Sequence, residues 1–221
     1  MKLLHLDASV LGENSVSRHL TAAVVARFKQ QVEGLQVDYR DLDANPVPHL
    51  RSGSLAKTDV AEAAEAEQVL EQFLAADIVV IGAPMYNFSI PSTLKAWIDR
   101  VAVAGRTFKY TENGPVGLAG GKKVIVAEAS GGEYAGTAID FVAPYLKQVF
   151  GFLGITDVEF VRAGAGSGKT YYLTHLLADR LQSGAARPAA SRRVSARGAH
   201  RSGGNPRAAD VPASRGVPTR R

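Results

Sequence analysis

Five short apolar runs recur along the first 163 positions, and between most of them apolar residues return every three or four positions. The runs K-L-L-H-L-D at Lys2–Asp7, L-Q-V-D-Y at 35–39, D-I-V-V-I-G at 77–82, K-K-V-I-V-A at 122–127 and the segment 155–162 predict strands. Runs as continuous as 77–82 suit strands covered on both faces, which is the condition of a parallel sheet. Ser15 and Ser17 can cap a helix that carries Leu20, Val24, Val25 and Phe28 at helical spacing. An Ala/Glu-rich amphipathic helix is predicted over 60–74. Another covers 91–103, with Pro91 tolerated in its first turn. A third covers 139–153, closed by Gly154 and bent by Pro144. Asn45-Pro46-Val47-Pro48 begins a long polar loop, and 108–121 reads as an irregular loop. Strands alternating with helices in this way predict an α/β domain with right-handed crossovers. Trp97 lies on an amphipathic helix and is expected in the core. His5, within a strand, and His49, in a loop, are expected to be structural or solvated.

The alternation predicts a doubly wound sheet of five parallel strands with helices on both faces; in a flavodoxin-like strand order, 2-1-3-4-5, strands one, three and four lie side by side. Ligands of such sheets bind beyond the carboxyl ends of the strands, where the strand order switches. The loops leaving strands one, three and four there begin at Ala8, Ala83 and Ala129. The first has no G-x-G-x-x-G, but offers hydroxyls at Ser9, Ser15 and Ser17 and the free N–H groups of a helix start. These can hold a terminal monophosphate such as that of FMN, or can simply cap the helix. In the second, Met85, Tyr86 and Phe88 are large and apolar just past a strand end, with the amide of Asn87 among them. They suit the flat ring of a flavin, and they also suit a plug over the core. In the third, Ala129, Ser130, Gly131 and Gly132 leave backbone N–H groups unshielded, able to face a ring edge or to make an ordinary turn.

Composition narrows the partners. The chain has no cysteine, which removes disulfides and thiolate chemistry and suits a reducing cytoplasm. The apolar start is short and interrupted by Asp7, unlike a signal peptide, and no stretch nears the length of a membrane span. The net charge of +5 is uneven. From Gly184 onward nine arginines face one acid, a net of +8, which leaves −3 for the first 183 residues. A nucleic-acid partner would rest on that tail alone and is not expected. No Ser-His-Asp set, carboxylate pair or metal-binding cluster stands out.

Six segments carry a family resemblance: L-D-A-S at 6–9, S-V-S at 15–17, N-P-V-P at 45–48, A-P-M-Y-N-F at 83–88, F-K-Y-T-E-N-G-P at 108–115 and G-F-L-G-I-T-D-V at 151–158. Together they resemble the FMN-dependent NADH-azoreductases, part of the wider flavodoxin-like quinone reductase group. The resemblance implies FMN contacts at Ser9, Ser15, Val16, Ser17, Met85, Tyr86, Asn87, Phe88, Ala129, Ser130, Gly131 and Gly132. It implies a substrate contact at Tyr110, and a homodimer with two flavin sites at its interface. The implied reaction is ping-pong. NADH gives a hydride to flavin N5, and a quinone or azo compound then takes two electrons, azo cleavage requiring two rounds. The protein would position the cofactor and tune it, with no catalytic side chain of its own. A flavodoxin-like electron carrier is the alternative, and the 108–115 loop, large enough to roof a substrate pocket, argues against it.

The resemblance stops at about Ala163. Residues 163–170, A-G-A-G-S-G-K-T, fit a relaxed Walker A pattern. A working P-loop also needs an apolar strand ending in a magnesium-binding acid, and after Leu181 the chain has no Leu, Ile, Phe, Tyr, Trp or Met. The segment is therefore read as a Gly-rich loop into a short last helix, 170–181, that closes a domain of residues 1–183. Residues 184–221 have the composition of a basic, disordered tail. The abrupt change of pattern suits a basic arm, a fusion remnant or a shifted reading frame.

Overall fold

A computed structural model describes residues 1–56 and 58–164. The expectations for the Walker-like segment beyond Gly164, the 170–181 helix and the tail lie outside the described residues.

Strand β1 (Lys2–Asp7) is buried from Leu3 onward. A 3-10 turn at Gly12–Asn14 leads to helix α1 (Val16–Gln31), capped by Ser15 as expected. Strand β2 (Gln36–Asp41) runs two residues beyond the predicted end. A one-turn helix, α2 (Ser52–Ala56), interrupts the polar loop that the sequence left featureless. Helix α3 (Val60–Ala75) is capped by Asp59, whose side chain accepts from Glu62 N. Strand β3 (Ile78–Pro84) is buried at every residue. Helix α4 (Ser92–Val101) starts one residue after Pro91, which becomes its N-cap.

The segment predicted as an irregular loop contains an antiparallel hairpin, β4 (Phe108–Thr111) with β5 (Gly114–Gly117). Strand β6 (Lys123–Ala129) follows. Helix α5 (Val142–Phe152) begins three residues later than predicted. Pro144 therefore sits in its first turn, where a missing N–H breaks no helical bond, and the expected bend has no cause. Strand β7 (Asp157–Ala163) ends the described fold.

The five-stranded sheet has the order β2-β1-β3-β6-β7, and all its pairs are parallel. This is the 2-1-3-4-5 order read from the sequence. One face packs α3, α4 and α5 through Phe73, Leu94, Trp97, Leu146 and Phe150 onto Leu4, Leu6, Val79, Ile81, Val124 and Val126. The other packs α1 through Leu20, Val24 and Val25 onto Leu3, Val80, Ile125 and Val161. Trp97 is buried, with Phe73 edge-on at 5.6 Å, an arrangement that adds about 0.5–1.5 kcal/mol to the burial itself.

A buried ion pair ties the 45–59 loop to this core. Arg100 of α4 donates to Glu62 of α3 at 2.7 Å, with side chains 5% and 7% exposed. Arg100 also donates to the carbonyls of Pro48 and His49, while Ser54 and Arg51 donate to the Glu62 carboxylate. Every charge removed from water here has partners, the condition under which such a pair is tolerated. His49 enters only through its backbone.

The hairpin is seated by a close backbone approach. A Cβ on Gly117 would lie 2.1 Å from Gly154 N and 2.2 Å from the Leu153 carbonyl carbon. Ala119 N donates to Leu153 O at 2.9 Å, and Phe108 meets Phe152 with ring centroids 4.5 Å apart.

Gly117→Ala must push backbone against backbone. We expect it to destabilise the fold by about 1–3 kcal/mol, the usual range for overpacking, read as a lower midpoint in urea. Bonds from Ser54 and then Arg100 hold the Glu62 carboxyl at about 2, below its ordinary 4.5. The folded state thus binds this proton less readily than the unfolded chain does. The stabilisation is complete above about 4.5 and is lost as pH falls toward about 2. Thermal melts of Glu62→Gln should therefore be less stable than the parent at neutral pH, and flatter across that acid window.

Candidate functional site

Parallel register brings three loops to one edge. Asp7 pairs with Gly82, Pro84 with Ala129, and Ala129 with Ala163, so β3, β6 and β7 end together and β1 ends two residues earlier on the same edge. Two further bonds seal the loop roots: Met85 N donates to Ala129 O at 2.8 Å, and Ser130 N to Ala163 O at 3.0 Å.

In the first loop Ser9, Ser15 and Ser17 are all buried, while Val10 and Leu11 are exposed. Gly12 turns the chain at φ 51°. Ser15 Oγ accepts from Arg18 N at 3.3 Å and lies 3.1 Å from Ser17 Oγ. The N–H groups of Val16 and Ser17, first and second in the helix, have no carbonyl partner within it. A helix start with spare N–H groups and adjacent hydroxyls favours an anion.

Beneath this loop lies a polar network absent from the sequence reading. Asp7 Oδ1 accepts from Thr21 Oγ1 at 2.8 Å, and Oδ2 from the Tyr39 hydroxyl at 3.2 Å, with His5 Nε2 3.4 Å away. Gly82 makes room, since a Cβ there would stand 2.7 Å from Asp7 Oδ1. Arg18 forks onto Asp41 at 2.6 and 2.8 Å and donates to Ser9 O at 2.8 Å. That guanidinium holds the Asp41 carboxyl below the usual range, while burial pushes the Tyr39 phenol up. Tyr39 and Asp41 follow no motif, and Asp7 shows only as the acid of the L-D-A-S segment. Their only sequence signal is an acid or phenol near the end of an apolar strand.

The second loop is a tight turn. Tyr86 and Ser89 exchange backbone bonds at 2.9 and 3.0 Å, and both central residues, Asn87 and Phe88, have left-handed φ, 49° and 69°. Such turns favour Asn and Gly, and a phenylalanine there costs about 1–2 kcal/mol. Phe88 is 51% exposed, so the plug expected as an alternative does not describe it. Met85 is half-buried against the core. The Tyr86 hydroxyl reaches back to the first loop, 3.2 Å from Ser9 Oγ and from Val10 N. An open cleft of about 620 Å3 adjoins this turn, lined by Tyr86, Asn87, Ser89, Ile90, Ser92, Lys95 and Tyr145.

In the third loop Ser130 Oγ donates to Gly132 O at 2.7 Å. Gly131 is exposed, with nothing within 4 Å of where a Cβ would stand. The structure thus brings together Ser9, Ser15, Val16, Ser17, the Met85 to Phe88 turn, and Ala129 to Gly132. It roots Tyr110 elsewhere. That residue is 75% exposed on β4, edge-on to Phe108, and the hairpin's base is docked beside Gly154 at the amino-terminal end of β7. Among the described residues no group of His, Cys, Asp or Glu is placed to hold a metal ion.

This geometry has relatives. The family described as having a flavodoxin-like fold matches residues 1–174. The FMN-dependent NADH:quinone oxidoreductase of Stenotrophomonas maltophilia (strain K279a) is 78% identical over 163 residues, 74% of this chain and 84% of the relative. Its namesake from Chromobacterium violaceum is 51% identical over 193 residues, 80% of this chain and 95% of the relative. The crystal structure of an FMN-dependent NADH-azoreductase from Bacillus anthracis str. Ames Ancestor in complex with FMN superposes with a TM-score of 0.75 at 28% identity, covering 82% of this chain and 97% of that one. The family match covers well over half of the sequence, and the chain belongs to the flavodoxin-like fold family.

Proposed function

We propose that this protein is an FMN-dependent NADH:quinone oxidoreductase that also cleaves aromatic azo bonds. The observation that carries the reading is the exposed Phe88 ring, held in an unfavourable backbone conformation between a serine-capped helix start and a glycine turn. Unfavourable backbone persists where the surroundings over-determine it, and such places are commonly ligand sites. The identity of 78% to an enzyme of that name supports the same conclusion.

The residues present fit FMN. Ser9, Ser15, Val16 and Ser17 would hold the phosphate with hydroxyls and helix N–H groups, needing no cation. Met85, Tyr86, Asn87 and Phe88 would form the wall of the ring pocket. Ala129, Ser130, Gly131 and Gly132 would bring backbone N–H groups to the ring edge where negative charge gathers on reduction. Bound FMN supplies the chemistry itself, accepting a hydride from NADH and passing two electrons to the quinone or azo substrate. The side chains bind, orient and exclude water. The Tyr86 hydroxyl joins the first two loops through Ser9 and Val10, so the phosphate end and the ring wall are positioned as one piece.

We place the enzyme in the cytoplasm, in keeping with its cysteine-free sequence, and read it as a homodimer. Tyr110, rooted at the opposite sheet edge from the three loops, suits a substrate contact offered to the site of a second copy. No helix among the described residues is long and apolar enough to cross a membrane.

The purified protein should be yellow, bleach on adding NADH without oxygen, and recover on adding a quinone. A colourless protein with no affinity for FMN overturns the reading. Phe88→Gly removes the left-handed penalty together with the ring. We expect the apoprotein's unfolding midpoint to hold or rise, by up to about 1–2 kcal/mol, while FMN affinity falls. Equal or tighter flavin binding in Phe88→Gly would show that the ring has no part in the wall.

A further inference from the structure

Arg18 is out of place by the ordinary rules of helices. It is the third residue of α1, in the turn where the helix dipole favours anions and disfavours cations. Besides a 3.3 Å bond from Nη1 to the Tyr39 hydroxyl, its head group is spent on two partners. One is Asp41 at the end of β2, gripped through both terminal nitrogens at 2.6 and 2.8 Å. The other is the backbone carbonyl of Ser9, which accepts from Nη2 at 2.8 Å. Asp41 is itself anchored, since its Oδ1 accepts from the N–H groups of Asp43 and Ala44 at 3.0 and 3.2 Å.

The Ser9 carbonyl and the Val10 N–H belong to one peptide unit. That unit is planar, and its oxygen and hydrogen point to opposite sides. Holding the oxygen toward Arg18 therefore turns the Val10 N–H the other way, where it donates to the Tyr86 hydroxyl at 3.2 Å. That is the side facing the second loop. Without Arg18 the unit is free to rotate and to turn its carbonyl, the negative end, toward the place proposed for the phosphate.

We propose that Arg18, held by Asp41, is a positioning residue that fixes the Ser9–Val10 peptide so that the first loop keeps the Ser9 carbonyl turned away from the FMN phosphate. This inference rests on the FMN reading above. It assigns the clamp a task at the phosphate end of the site. The role calls for the planar fork of arginine, because here two separate nitrogens grip the two carboxylate oxygens while one of them also reaches the Ser9 carbonyl, a span that the point charge of an ammonium does not reproduce. The lowered carboxyl of Asp41 agrees with a pair that stays charged throughout the neutral range.

The test compares FMN with riboflavin, which has the ring and lacks the phosphate. Affinities of the full-length apoprotein are read by quenching of flavin fluorescence, for the parent and for Arg18→Gln, Arg18→Lys and Asp41→Asn. We expect all three variants to lose about tenfold or more in FMN affinity, the scale of one charge-assisted hydrogen bond, with riboflavin affinity unchanged. Parental FMN affinity in Arg18→Gln overturns the clamp. So does an equal loss for both flavins, which marks a general structural role, and so does Arg18→Lys behaving as the parent, which makes charge alone sufficient. Failure of the parent itself to bind FMN is a different result, and it removes the proposed function together with the clamp.

Discussion

The site depends on the register of β3 between its two neighbours. Ile78–Pro84 is buried at every position and bonded on both edges, to β1 and to β6. A continuous apolar strand has no polar face to choose, so its register is set by the ladders and by what stands at the ends. Here the end condition is chemical. Asp7 must lie over the one β3 residue that has no side chain, Gly82. A slip by one position would set Asp7 against Ile81 or Ala83 and bury its carboxylate against carbon. The same register opens the loops that begin at Ala8, Met85 and Ser130 along one edge of the sheet.

Polar groups beneath the first loop extend this constraint outward. Asp7, Thr21 and Tyr39 join β1, α1 and β2, while Arg18 and Asp41 join α1 and β2 to the loop itself. Removing such groups from water costs several kcal/mol per ion unless each has a partner. Partners are present, so the network is tolerated, and each of its bonds crosses between elements that apolar contact alone would leave free to slide. Apolar packing holds α1 against the sheet, and the polar bonds set where along the sheet it sits.

Much of this was legible in the sequence, and the reasons vary with the element. The strands at 77–82 and 122–127 declared themselves because strands covered on both faces need unbroken Val and Ile. Ser15 showed as a cap because the helix start needs an oxygen there. Met85 to Phe88 stood out because large apolar residues are unusual past a strand end. The hairpin was missed although Asn113-Gly114 at its tip is a turn signal. Its strands have four residues each, Lys109 and Tyr110 point to water, and it is seated by Gly117 against Gly154, a contact between residues with no side chain to advertise it. The bend expected at Pro144 failed because the helix starts late enough to place proline where it does no harm. The Arg100–Glu62 and Arg18–Asp41 pairs were invisible for another reason. Their partners are 38 and 23 positions apart, and nothing along the chain points from either arginine to its acid.

The bond from Ser130 to Ala163 has a consequence for how the molecule is made. The first loop is present once a few tens of residues have been synthesised, and the second long before the sheet is complete. The third is held by the last residue of β7, so a chain still emerging from the ribosome carries every part of the site and has no site. A ligand that needs all three loops discriminates finished molecules from nascent ones, and by binding only the finished state it draws the equilibrium toward completion.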